Sequence, residues 1–116
     1  AGGSNTMLAK IFGMFQGHAP ARLAALKEAV AAEDLERAAS EAHALKSPSL
    51  NIGALRLGAL CSELEAQARA GDRTVLSGDA LAAIDAELRA VMAAIAIERG
   101  PAEPVRVPQP AQALAV

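Results

Sequence analysis

Apolar residues recur along this chain at spacings of three and four, in blocks separated by glycine, proline and short polar runs. That rhythm is the period of amphipathic helices. The first block is Met7, Leu8, Ile11, Phe12, Met14 and Phe15. Gly17 interrupts it, Pro20 suits the first turn of a helix, and Leu23, Leu26 and Val30 carry a core face on to about Ala32. The pattern fits either one long bent helix or two short ones. Asp34 is placed to cap the next helix, with Arg37 at the position where a capping box would carry Glu. Leu35, Ala38, Ala42 and Leu45 form its buried stripe. Pro48 should weaken or kink this helix near Lys46, and Asn51 and Gly53 mark a sharp bend. A third helix runs from about Ala54 through Leu57, Leu60, Cys61, Leu64 and Ala68 to a stop at Gly71. Gly71 to Gly78 reads as a loop. Asp79 then caps a last helix whose Leu81, Ile84, Leu88, Val91 and Ile95 keep a heptad-like rhythm until Gly100-Pro101 ends it.

Composition sharpens this picture. Hydrophobic residues make up 53% of the 116, yet aromatics only 2%, because much of the apolar share is alanine. Alanine favours helix and lets helices approach closely. No alternating run offers a strand. The predicted fold is all-α, an antiparallel four-helix bundle with a short or bent N-terminal helical segment. Ala1-Gly2-Gly3-Ser4 reads as a cloning remnant, so residues 1–5 are set outside the fold, which spans 6–99. Residues 100–116, with Pro101, Pro104, Pro108 and Pro110, read as a disordered tail or linker.

Charge and cysteine content exclude several function classes. The formal net charge is -2, no basic stripe stands out, and there is no Trp or Tyr to stack on bases, which argues against nucleic-acid binding. No run of about 18 apolar residues exists to span a membrane. The single cysteine, Cys61, cannot form an internal disulfide and fits a reducing, cytoplasmic setting. It shares core spacing with Leu57 and Leu64, so a buried thiol is expected rather than a reactive one.

His43 holds the most chemical interest. One residue past Ala42, it sits about 100° around the helix from the buried stripe. That places it on an outward flank with Ala39, Ser40, Lys46 and Ser47. An imidazole among small residues, with a cation one turn on, suits chemistry with an anionic group. A di-metal bundle would need Glu-x-x-His pairs, but Ser40 precedes His43 and Phe15 precedes His18 at that spacing, and no zinc spacing occurs, so no metal is expected. A hydrolase would need a nucleophile, base and orienting group in a cleft, for which so small a bundle has little room. His18 reads as a solvent-facing histidine near a helix break. Glu33, Asp34, Glu36, Glu41, Glu63 and Glu65 read as a solvated face, and Phe12 and Phe15 as core.

Ala42-His43-Ala44-Leu45-Lys46-Ser47, then Asn51-Ile52-Gly53-Ala54, then Leu57, Leu60-Cys61 and Leu64-Glu65 resemble the histidine-containing phosphotransfer (HPt) domains of bacterial phosphorelays. The likeness covers about residues 7 to 98. Ser47 stands where the family often has Gly, Pro48 is a less usual residue, the 71–78 loop is somewhat long, and the proline-rich tail is not part of the pattern. The resemblance implies a phosphoryl carrier without ATP binding or kinase activity of its own. His43 would accept a phosphoryl group from the aspartyl phosphate of a receiver domain and pass it to another receiver. A neutral imidazole, which titrates at about 6.5 in its ordinary state, keeps a nucleophilic lone pair at cytosolic pH. Lys46 would attract the phosphoryl oxygens. Ser47 and Gly53 would keep the approach clear, and Ala39, Ser40 and Leu50 would line the same docking surface. The implied partners are response-regulator receivers and a hybrid histidine kinase, the protein acting as a monomer. It needs no cofactor of its own, since magnesium belongs to the receiver. The rival readings are a pseudo-HPt module that docks without carrying phosphate, and a purely structural helical bundle.

Overall fold

The computed structural model describes the backbone of residues 2–99 and the side chains of residues 7–97. Its elements are α1 (Gly2–Ala31), α2 (Leu35–Asn51), α3 (Leu55–Arg69), a short 3-10 turn (Arg73–Ser77) and α4 (Asp79–Arg99). The predicted proline-rich tail lies outside the described residues.

α1 is one 30-residue helix, which settles the choice left open by Gly17 and Pro20. Gly17 does not break it, and Pro20 is accommodated inside it. The helix begins at Gly2, so residues 2–5, expected outside the fold, continue it. At its far end Glu33 takes a left-handed φ of 57°, and the chain turns into α2. Asp34 caps α2 as expected, its carboxylate accepting from the Arg37 N–H at 3.0 Å.

Pro48 does not end α2, which continues to Asn51. Proline removes the N–H at its own position, but the chain beyond it keeps other contacts. The Ser49 hydroxyl donates to the Leu45 carbonyl at 2.8 Å, and Ile52 N–H donates to the Pro48 carbonyl at 3.3 Å. The turn into α3 passes through Gly53 at φ 83°, a left-handed conformation that glycine adopts without the Cβ penalty. Gly71 closes α3 in the same way at φ 79°. The segment read as a loop holds the 3-10 turn, capped by Asp72, and it buries Val75 to 1% exposure. Asp79 is the first residue of α4 rather than its cap. The Ser77 hydroxyl accepts from its N–H at 3.3 Å.

Ion pairs fix an antiparallel register. Arg22 meets Glu41 and Glu28 meets Arg37 between α1 and α2; Lys27 meets Asp85 between α1 and α4; Arg56 meets Glu87 between α3 and α4. The core between the helices holds Leu23, Leu26, Leu45, Leu57, Leu64, Ile84 and Leu88. Ala19, Ala29, Ala38, Ala39 and Ala42 are wholly buried among them, so the alanine-rich faces bring helices close together. Of the first apolar block, only Phe15 is fully buried and Phe12 packs partly against the core. Met7, Leu8, Ile11 and Met14 are exposed. The register explains this for Met7, Leu8 and Ile11: with Arg22 opposite Glu41, the turns of α1 before Phe12 run past the end of α2 at Asn51, while Met14 lies beside that end on the wall of a cleft. Among the described residues, no helix is long and apolar enough to cross a membrane.

Candidate functional site

α2 and α3 share the most extensive interface in the bundle, and His43 stands at its outer edge. The buried stripe behind it is as expected: Ala38, Ala42 and Leu45 have no exposure. The His43 side chain is 58% exposed. Its Nδ1 lies 3.0 Å from Oε2 of Glu65, which reaches across from α3. Lys46, one turn along α2, donates from Nζ to the other oxygen, Oε1, at 3.0 Å. Arg69, one turn along α3, places both Nε and Nη2 at 3.0 Å from Oε2.

Glu65 is therefore the centre of a four-residue cluster, not part of a solvated face as its sequence position suggested. Its side chain is only 12% exposed. Burial alone would raise its carboxyl, but hydrogen bonds from Lys46 and Arg69, with the charges of His43 and Lys46, outweigh burial and hold it below the ordinary carboxylate range. An ionised Glu65 accepts only, so the Nδ1 facing it carries the proton. Nε2, the other ring nitrogen, then holds the lone pair. The sequence signal for Glu65 was its place after Leu64 at the end of the family-like pattern; only the helix pairing shows what it touches.

The remaining predicted residues divide by position. Ser40, Ser47 and Gly53 are exposed, and Leu50 is 45% exposed, on the side of α2 and its turn that faces solvent. Ala39 is not among them. It is wholly buried in the core, because it follows Ala38 and precedes Ala42 on the face packed inward, and it cannot line a docking surface. Leu50 lies over Gly58 of α3, where a Cβ would overlap its Cδ2. This close approach had no recognisable signature in the sequence. Beside Ser47 a cleft of about 870 Å³ opens between α1 and the end of α2, lined by Ile11, Met14, Phe15, His18, Pro48 and Ile52 among others. His18, read as a bystander, is thus on the wall of this cleft. Cys61 is buried, and burial, only partly offset by Lys46, pushes its thiol up to about 11, so it stays protonated at neutral pH.

Residues 10–95 match the family model of the Hpt domain. The chain belongs to the Hpt domain family. That match spans most of the 116 residues and all of α2, α3 and the 3-10 turn. Neither the curated proteins nor the solved structures yield a match to this chain. As an Hpt domain it is a helical histidine phosphotransfer module of the phosphorelay type, a class that works with receiver domains and kinases.

Proposed function

We propose that this Hpt domain carries phosphate on Nε2 of His43, taking it from the aspartyl phosphate of one receiver domain and giving it to another. The observation that carries this reading is the exposed imidazole held at Nδ1 by Glu65, 3.0 Å away, with Lys46 bound to the same carboxylate. The Nε2 lone pair attacks phosphorus, the P–O bond to the aspartyl carboxylate breaks, and the carboxylate leaves with the electron pair. The phosphorylated ring keeps its Nδ1 proton and becomes cationic, and Glu65 offsets that charge. Return to an aspartate reverses each step. Little covalent chemistry falls to the protein, since a loose, in-line transfer depends on positioning and charge. Lys46 faces the phosphoryl oxygens as a cation one turn from His43. Magnesium is held by the receiver, and this chain contributes no cofactor. Ser40, Ser47, Leu50 and Gly53 form the approach. Their small or flexible side chains leave Nε2 accessible to a receiver's active-site loops. The donor side includes a hybrid kinase, with the protein a monomer between its partners.

The test is transfer from a phosphorylated receiver to this protein, with His43→Gln as control. Acid-labile, alkali-stable label is expected on the wild type and none on the variant, whose circular dichroism is unchanged. Label retained in His43→Gln would sink the assignment. Receiver binding without label in the wild type would leave a docking module in its place.

A further inference from the structure

The cluster around His43 holds one cation more than its carboxylate needs. Glu65 carries one negative charge; Lys46 and Arg69 carry two positive charges, and all meet on its two oxygens. The share-out is uneven. Lys46 holds Oε1, while His43 Nδ1, Arg69 Nε and Arg69 Nη2 all crowd onto Oε2. One carboxylate oxygen offers about two lone-pair directions, which His43 Nδ1 and Arg69 Nε take up, while Arg69 Nη2 lies as close without a hydrogen bond of its own. Arg69 is also denied the two-oxygen fork that its planar guanidinium matches best, because Lys46 occupies the partner oxygen.

Arg69 is placed to find that fork elsewhere. Its guanidinium and His43 Nδ1 are each 3.0 Å from one oxygen, so the two lie no farther apart than the sum of those distances. α2 and α3 run antiparallel, so Lys46 reaches Glu65 from one end of His43 and Arg69 from the other. The Arg69 side chain is 53% exposed and can swing, whereas Glu65 is nearly covered. Resting on the phosphotransfer reading, we infer that Arg69 is a second phosphoryl-binding cation of the His43 site, which leaves Glu65 Oε2 for the phosphoryl oxygens once Nε2 is phosphorylated. Glu65 does not lose its compensation, since the phosphorylated ring is itself cationic and still faces it from Nδ1. Three phosphoryl oxygens offer Arg69 the two-point contact that Glu65 cannot.

The consequence is a longer-lived phosphohistidine. In hydrolysis a water oxygen adds to phosphorus, the P–Nε2 bond breaks with its electron pair returning to the ring, and inorganic phosphate departs with the water's hydroxyl, its second proton going to solvent. In the loose transition state, negative charge drains from the phosphoryl oxygens toward the leaving ring. A cation on those oxygens therefore holds the ground state more tightly than the transition state, and slows the loss.

The experiment uses the full chain phosphorylated with potassium phosphoramidate, a small donor that needs no partner, and follows the phosphohistidine by 31P NMR. Arg69→Ala is expected to shorten its lifetime about three- to tenfold, the scale of one partly screened charge-assisted contact. Arg69→Lys should recover much of the loss, and the gap between wild type and Arg69→Ala should narrow in about 1 M salt. A role in folding alone would show neither the rescue nor the salt dependence. An unchanged lifetime in Arg69→Ala overturns the inference while leaving His43 as carrier. Label that persists in His43→Gln overturns the phosphotransfer assignment itself, and this inference with it.

Discussion

At the scale of single residues, Glu65 decides the state of this site. Its carboxyl is held below the ordinary range although burial pushes it up, so its folded pKa lies under its unfolded value of about 4.3. A carboxylate depressed in the folded state adds stability that is whole above the unfolded pKa and fades as pH falls through the folded one. Glu65→Gln should therefore unfold more easily than wild type by about 1–3 kcal/mol at neutral pH, because Lys46 and His43 lose a charged acceptor at a mostly covered position. At about pH 3, below the unfolded value, the gap between the two proteins should be narrower. Urea unfolding at both pH values checks this, and an equal gap at both would mean that the ionised cluster contributes nothing. The same variant replaces a charged acceptor by a neutral one at Nδ1, so it should also slow uptake of phosphate by His43. The outward position of His43 was readable from the sequence, since the stripe of Ala38, Ala42 and Leu45 is unambiguous. The partner of its Nδ1 was not readable, because a Glu on an amphipathic helix looks alike whether it meets water or a neighbouring imidazole. Ala39 failed for a related reason. A single alanine beside a buried stripe sits at the edge of the inward face, and close helix packing widened that face to include it.

At the scale of elements, the α2–α3 hairpin unites the site. α2 supplies His43, Lys46 and Ser47, α3 supplies Glu65 and Arg69, and the Gly53 turn joins them. The helices themselves were legible from period and caps, Asp34 and Gly71 above all. Pro48 lies inside α2, where Ser49 and Ile52 supply local hydrogen bonds, and the bend follows at Asn51 and Gly53 as expected. The hairpin also offers a way to separate docking from chemistry. A Cβ on Gly58 would lie 2.9 Å from Leu50 Cγ, so Gly58→Ala must push the exposed Leu50 side chain aside. Alanine's better helix propensity works against that strain, leaving stability within about 1 kcal/mol of wild type. Transfer from a receiver should fall about tenfold, the scale of ~1.4 kcal/mol lost at a contact, while uptake from phosphoramidate is unchanged. Matched kinetics with the two donors check this. Receiver transfer at the wild-type rate would remove Leu50 from the docking surface, and slowed uptake from both donors would mean that His43 had been disturbed.

At the scale of the whole molecule, the long first helix serves two different purposes along its length. From Phe15 onward it is a wall of the bundle, with Ala19, Leu23, Leu26 and Ala29 buried against the other helices. Before that, Met7 is 65% exposed and Leu8 50%, as the register set by Arg22 and Glu41 carries α1 past the end of α2. The apolar rhythm of this segment is real, yet periodicity reports which face a helix would bury, not whether a neighbour is there to cover it. The family match begins at residue 10, within the same stretch of α1. Removing residues 1–8 should therefore change unfolding free energy by no more than about 0.5 kcal/mol, the range of surface changes. Phe15→Ala, by contrast, should lower it by about 3–5 kcal/mol, since that ring is 2% exposed in the core. Guanidinium unfolding of both variants beside the wild type makes the comparison. A large loss on truncation would mean that these first turns brace the bundle despite the exposure of Met7 and Leu8. Little loss on truncation together with a large one for Phe15→Ala would put the working edge of the domain between Leu8 and Phe15, next to the cleft that adjoins Ser47.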